Sequence, residues 1–313
     1  GIFSTYKSVS FRVHGYAVNT STGIIISNIT LDPAEANTGL PTIFCSFYVN
    51  ATEDYCGLCG YEDTGNSDKI FQVRQFNCTS RNFSNSQFQV NISESISSVT
   101  SYRTFNAKSS PNKNETFVCG IMATVNNSLS CALLTQNNNI LNLTFNWSSP
   151  NTINLSGIDA TTQNFDFDWT GDGKYVIILG HNVTRSPNLN NYTIIWVFNR
   201  TGLNVRQYTL ERATNFSASE FRTRACRMPT RNKEVFFISQ PAFSSTTAGI
   251  ITRVISINGT NETGFPAIDW TVEPMDELPN FDCAVVNGKV AYGYTDANSL
   301  SMDYGWYDYN TQE

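Results

Sequence analysis

Along this chain helical periodicity is nearly absent, and short runs rich in Val, Ile, Phe, Tyr and Thr alternate with polar turns. Examples are "SFRVHGYAV", "GIIISNITL", "KIFQVRQF", "FQVNIS", "NLTFNW", "YVIIL", "TIIWVF", "EVFFIS", "GIITRVISI" and "KVAYGYT". Clusters of Asn, Gly, Asp and Ser separate them. Regular strand-like runs with turn signals between them predict an all-β protein. Only "ERATNFSASEF" (211–221) has a pattern that admits a helical turn.

The runs group into repeats. Five strand–turn–strand units begin at Phe44, Phe117, Phe165, Arg224 and Phe281, each with Cys or Trp near its start. Those markers are Cys45, Cys119, Trp169, Cys226 and Cys283, spaced 74, 50, 57 and 57 residues apart. A second hairpin follows each of the first four units. Four strands per repeat of roughly 50 residues predicts a β-propeller of five four-stranded blades, or six. In that reading residues 1–313 form one domain, and the N-terminal hairpin within 1–31 completes the last blade. The long first interval holds a polar insertion at 93–116. The alternative architecture is a multi-domain β-sandwich glycoprotein. "DGKYV" (172–176) resembles the inner-hairpin turn of TolB-like propeller repeats, and the period is similar to that of kelch repeats. Both resemblances imply a propeller fold.

Composition then names a compartment. The chain holds 36 Asn, of which 17 head an N-x-S/T sequon, while its 65 Ser and Thr would give about 7 or 8 by chance. The acceptors are Asn19, Asn28, Asn50, Asn77, Asn82, Asn91, Asn114, Asn126, Asn142, Asn146, Asn154, Asn182, Asn191, Asn199, Asn215, Asn258 and Asn261. This excess predicts a secreted or cell-surface glycoprotein whose only attached groups are covalent N-linked glycans, without other cofactors. Asn142 and Asn146 share strand parity, as do Asn191 and Asn199, so each pair is expected to face one side. Eight Cys in an oxidising pathway predict four disulfides. Hairpin logic suggests Cys45–Cys56, Cys119–Cys131, Cys59–Cys78 and Cys226–Cys283.

Other classes are excluded or weakened. A net charge of −6 with only 15% charged residues argues against nucleic acid and anionic membrane surfaces. No apolar run approaches the ~18 residues that span a bilayer. "GIFSTYKSVS" lacks a basic and an apolar signal region, so the chain is expected to be mature or a piece of something longer. "CGLC" at Cys56–Cys59 has metal or redox spacing. It has no second such pair, however, and the only histidines are His14 and His181, so no metal site is expected.

Three clusters remain. "NFDFDWTGDGKYVIILG" (164–180) carries Asp166, Asp168 and Asp172. Ile177 stands where a calcium loop needs its bidentate Glu, so Asp172-Gly173 reads as a turn. A glycosidase would pair Asp166 or Asp168 with Asp282 or Glu277. "FRTRACRMPTR" offers Arg222, Arg224, Arg227 and Arg231 to an anion. "MDYGWYDYN" presents Tyr304, Trp306, Tyr307 and Tyr309, aromatic residues suited to an interface or a sugar. No sequon falls in the final 52 residues around them. Together these features predict a non-enzymatic structural or adhesive extracellular protein, self-assembling or binding an extracellular glycan or protein. The alternatives are a carbohydrate-binding attachment domain and a propeller glycosidase.

Overall fold

The computed structural model describes residues 2–7, 12–31, 43–47, 54–62, 70–85, 88–91, 102–122, 129–137, 140–147, 165–182, 192–202, 204–211, 221–229, 231–244, 247–257, 269–272, 281–286, 289–296 and 301–308. The chain divides into two compact units, Gly1–Asn154 and Leu155–Glu313. The helical turn expected near 211–221 lies mostly outside the described residues.

Unit 1 holds three antiparallel sheets. The first is β1 (Ile2–Lys7), β2 (Arg12–Val18) and β3 (Ile25–Thr30), in that order. The second runs β4 (Ile43–Phe47), β5 (Tyr55–Glu62), β6 (Ile70–Asn77) and β7 (Asn82–Phe83), with β8 (Phe88–Asn91) also paired to β6. The third comprises β9 (Tyr102–Ser109), β10 (Glu115–Met122), β11 (Leu129–Asn137) and β12 (Ile140–Trp147). Unit 2 repeats the plan. Its first sheet is β13 (Phe165–Trp169), β14 (Tyr175–Asn182), β15 (Tyr192–Asn199) and β16 (Asn204–Glu211). Its second is β17 (Phe221–Arg227), β18 (Glu234–Ser244), β19 (Thr247–Ser256) and β20 (Asp269–Val272). Its third is β21 (Phe281–Val286), β22 (Lys289–Asp296) and β23 (Ser301–Asp308).

In each described sheet the strands pair in chain order, except that β8 pairs back onto β6, and sheets meet mainly through their first strands. In unit 1, β4 lies beside both β1 and β9; in unit 2, β17 lies beside both β13 and β21. Successive meanders joined along their first strands are β-propeller blades.

Alternating apolar side chains fill the space between blades. In unit 2 the facing pairs Ile177–Val197 and Leu179–Ile195 meet Ala225, Val235 and Phe237 of the next sheet. In unit 1, Val13, Ala17 and Leu31 pack on Tyr61, Phe76 and Phe83. Fully burying one such Phe or Leu contributes about 2–3 kcal/mol.

Two elements differ from the sequence reading. The N-terminal strands, expected to complete the last blade, pair with one another as the sheet β1–β2–β3. Residues 102–109, within the expected polar insertion, form β9, the first strand of the third sheet. Cys119 therefore sits on a second strand, whereas Cys45, Trp169, Cys226 and Cys283 sit on first strands. The disguise is physical. Among the described side chains of β9 the buried ones are Ala107 and Ser109, both small, so this part of the strand carries little hydrophobic signal.

Candidate functional site

The acidic stretch divides into a turn and a seam. Asp172 Oδ1 accepts hydrogen bonds from the Thr170 hydroxyl (2.7 Å) and the Lys174 N–H (3.1 Å). Gly173 takes φ +62°, which glycine adopts at no steric cost. Gly171 is equally constrained, because a Cβ there would lie 2.6 Å from the Met228 carbonyl oxygen. Asp172 therefore closes the β13–β14 hairpin. Asp166 and Asp168 do something else. Asp166 is fully buried, and its Oδ2 accepts the Ala225 N–H at 2.8 Å. Asp168 Oδ2 accepts the Arg227 N–H at 2.9 Å, while its Oδ1 accepts the Trp169 N–H.

Those donors lie on the edge of β17 that faces β13. Side chains two apart on one strand thus meet amides two apart on the next, and the sequence separation is 59 both times. Carboxylates here replace the ladder that two unpaired strand edges lack. A buried amide left without a partner costs about 1–3 kcal/mol, which is the work these residues do. The glycosidase pairing had used them as catalytic acids; their oxygens are instead bonded to backbone in the core. Asp282 is exposed and accepts its own neighbour's N–H, from Cys283, at 2.9 Å. Glu277 lies outside the described residues.

The disulfides are Cys45–Cys59, Cys56–Cys78, Cys119–Cys131 and Cys226–Cys283. Two expected pairs are corrected. Strand register puts Cys59, not Cys56, directly opposite Cys45, with Cα atoms 4.1 Å apart. The loop between β4 and β5 is too long for the tight hairpin that Cys45–Cys56 assumed. Cys56 is left beside the end of β6, where it joins Cys78. Cys119 and Cys131 are opposed in register. Cys226–Cys283 links β17 to β21 and so joins two sheets.

Six sequon acceptors fall on described side chains. Asn19, Asn28 and Asn82 are exposed, and Asn77, Asn114 and Asn199 are half-buried. Several are held by local bonds to the amide oxygen: Ser21 N–H to Asn19 (3.0 Å), Ser80 N–H to Asn77 (2.7 Å) and Thr201 N–H to Asn199 (3.0 Å). Such turns engage Oδ1 and orient Nδ2, the atom that takes a glycan. Asn91, Asn142, Asn146 and Asn182 lie on strands; the side chains of the remaining acceptors lie outside the described residues. Asn142 pairs with Thr135 and Asn146 with Ala132, with a register shift between them; their side chains lie outside the described residues. Asn191 is not among the described residues.

The C-terminal aromatics lie on β23, the edge strand of its sheet, apart from Tyr309, which lies outside the described residues. Trp306 is 69% exposed, opposite Ala291. Of the arginine cluster, Arg231 is ion-paired with Glu234, and Arg224 donates to the Thr223 carbonyl at 3.4 Å. Tyr208 went unremarked in the sequence. Its hydroxyl donates to the Ser256 carbonyl at 3.0 Å, and burial pushes its pKa well up against the opposing pull of Arg206. Among the described residues no His/Cys/Asp/Glu group could hold a metal ion, and no helix is long and apolar enough to cross a membrane.

No protein-family model matches the sequence, and no curated protein does. Solved structures do share its fold. A mutant of AofleA from Arthrobotrys oligospora superposes with a TM-score of 0.50 at 8% identity, over 85% of this chain and 73% of that one. AofleA itself gives 0.49 at 9% identity, over 85% and 72%. The α-L-arabinanase of Penicillium chrysogenum, complexed with arabinobiose, gives 0.46 at 10% identity, over 85% and 80%. Likeness at such identity shows the fold alone: all-β, of the β-propeller type.

Proposed function

We propose that this chain is an extracellular N-glycosylated protein that acts by binding, as a structural or adhesive surface component, and not by catalysis. The observation that carries the reading is the placement of the acceptors. A glycan cannot be buried, and none of the six described sequon side chains is buried. Four disulfides support an oxidising compartment. The buried carboxylates best placed for acid–base work are committed to backbone amides, which favours binding over hydrolysis. Secretion from a eukaryotic cell, followed by intact mass before and after glycosidase treatment, tests the glycoprotein reading. The expected shift corresponds to most of the 17 sequons; a shift worth fewer than about five glycans overturns it.

The face around Trp306 is the proposed contact surface, with a second copy of the chain as its partner. The 69% exposure of an indole on β23 favours one further reading. A flat aromatic face stacks on a pyranose, so the same residue suits a carbohydrate ligand. A glycan array with the wild type and Trp306→Ala separates the two: sugar binding lost with Trp306 supports the ligand, and an empty array leaves the homotypic contact.

A further inference from the structure

The outer face of the first sheet brings a sequon together with an apolar platform. Tyr16 on β2 is directly opposite Asn28 on β3, and His14 is opposite Thr30, the hydroxyl residue of the same sequon. Opposed residues project from one face. His14, Tyr16 and Val18 alternate with the buried Val13, Gly15 and Ala17, so that face points away from the core. Asn28 and Thr30 emerge on it together.

A register shift next to Val18 changes what joins them. One extra residue of β3 is accommodated there, and Ile25 comes to lie opposite Val18. Strict alternation from Asn28 would have placed Ile25 on the opposite face; the bulge returns it to the outer one. Ile25 is 51% exposed, and Ile24 and Ile26 beside it are also exposed. A cluster of exposed isoleucines at one hairpin marks an interaction surface.

We propose that this platform holds the proximal N-acetylglucosamine of a glycan on Asn28, packed over Tyr16, Val18 and Ile25. The inference rests on the glycoprotein reading above and deepens it. The tether selects the occupant. Opposed side chains start about 5 Å apart, so a sugar linked to Asn28 is carried onto the Tyr16 ring. A pyranose offers a face of C–H groups, and its N-acetyl methyl is apolar; both pack on aromatic and aliphatic carbon by dispersion and area burial. Being intramolecular, the contact needs little intrinsic affinity. The glycan thus covers the exposed part of this surface, above all Ile25, which is 51% exposed.

The test uses the full chain secreted from a eukaryotic cell, with occupancy of Asn28 read by glycopeptide mass. Asn28→Gln is expected to lower the thermal midpoint by about 2–4 °C. In a Tyr16→Ser background the same substitution is expected to shift it by less than half as much. Ile25→Ser replaces Tyr16→Ser should the latter fail to fold. Enzymatic trimming to a single N-acetylglucosamine is expected to leave the midpoint in place, whereas Thr30→Ala, which abolishes the sequon, lowers it as Asn28→Gln does. An occupied Asn28 whose loss changes nothing, or changes both backgrounds equally, overturns the proposal. So does an unoccupied Asn28 on a chain glycosylated elsewhere, and this leaves the glycoprotein reading standing. A chain with no glycan at all removes both.

Discussion

The two units are built from the same meander, yet they are fastened differently. In unit 1 the disulfides Cys45–Cys59 and Cys119–Cys131 cross-link neighbouring strands of one sheet, where hydrogen bonds already hold the pair. Between its sheets the described contacts include apolar side chains, a hydroxyl pair, Ser46 with Ser109 at 2.6 Å, and two single hydrogen bonds, Ser27 Oγ to Asn82 Oδ1 and Gln136 Nε2 to the Tyr55 carbonyl, both at 3.3 Å. Unit 2 puts its strong links between sheets. Asp166 and Asp168 bind β13 to the backbone of β17, and Cys226–Cys283 binds β17 to β21. The glycan acceptors are unequal in the opposite sense: eleven of the seventeen sequons fall in unit 1 and six in unit 2. The contrast teaches that a cross-link is worth most where it joins segments that nothing else joins. Cys226–Cys283 spans 57 residues, Cys119–Cys131 only 12.

The largest expected effect follows from those spans. Removing Cys226 and Cys283 together, as alanines, should destabilise unit 2 by about 4 kcal/mol, against about 3 kcal/mol for the Cys119/Cys131 double variant in unit 1. Denaturant midpoints read with hydrogen exchange, unit by unit, give the comparison. Equal losses would erase the distinction between links within and between sheets.

The carboxylate seam comes next. Asp166→Ala strands the Ala225 amide in the core and should cost about 1–3 kcal/mol, with faster exchange at that amide. Asp166→Asn keeps an acceptor oxygen and should cost less. If both substitutions are harmless, the seam is not what joins β13 to β17. Gly171→Ala probes the turn that closes the same hairpin. Its Cβ would press on the Met228 and Pro229 carbonyls at 2.6 and 3.1 Å, and backbone has little room to give. A loss of about 1–3 kcal/mol is expected from such overpacking, measurable as a lowered denaturation midpoint.

Strands, turns and compartment were legible in the sequence because each is written locally. Short β-branched and aromatic runs mark β14, β15 and β22 directly, Asp172-Gly173 marks its turn, and each sequon is three residues long. What escaped depends on register or on neighbours distant in sequence. Cys56 and Cys59 are both plausible partners for Cys45 until the length of the β4–β5 loop is fixed. Asp166 and Asp168 look like turn or catalytic residues until a strand 59 residues away supplies their donors. The bulge beside Val18 shifts faces by one residue and leaves no mark in composition. β9 escaped for the opposite reason, since its described buried positions, Ala107 and Ser109, are small.

The smallest effect on stability, and the sharpest on function, is expected at the bare end of unit 2. β23 is the last strand of its described sheet and pairs with β22 over its whole length, Ser301–Asp308, with a Lys289–Asp308 ion pair at 3.6 Å at its far end. Trp306 stands out from it, and no sequon falls in the final 52 residues of the sequence. Leu300→Thr turns Asn298-Ser299-Leu300 into an acceptor site next to the first residue of β23. A surface change of this kind should alter stability by less than about 0.5 kcal/mol, while the added glycan brings bulk and water to the proposed contact. Sedimentation of the wild type should show concentration-dependent association, and the glycosylated variant should remain monomeric. Treating the variant with glycosidase should restore association, which separates a blocked surface from a damaged one. A wild type that stays monomeric, or a glycosylated variant that assembles unchanged, removes the homotypic role from this face and leaves Trp306 to a different ligand.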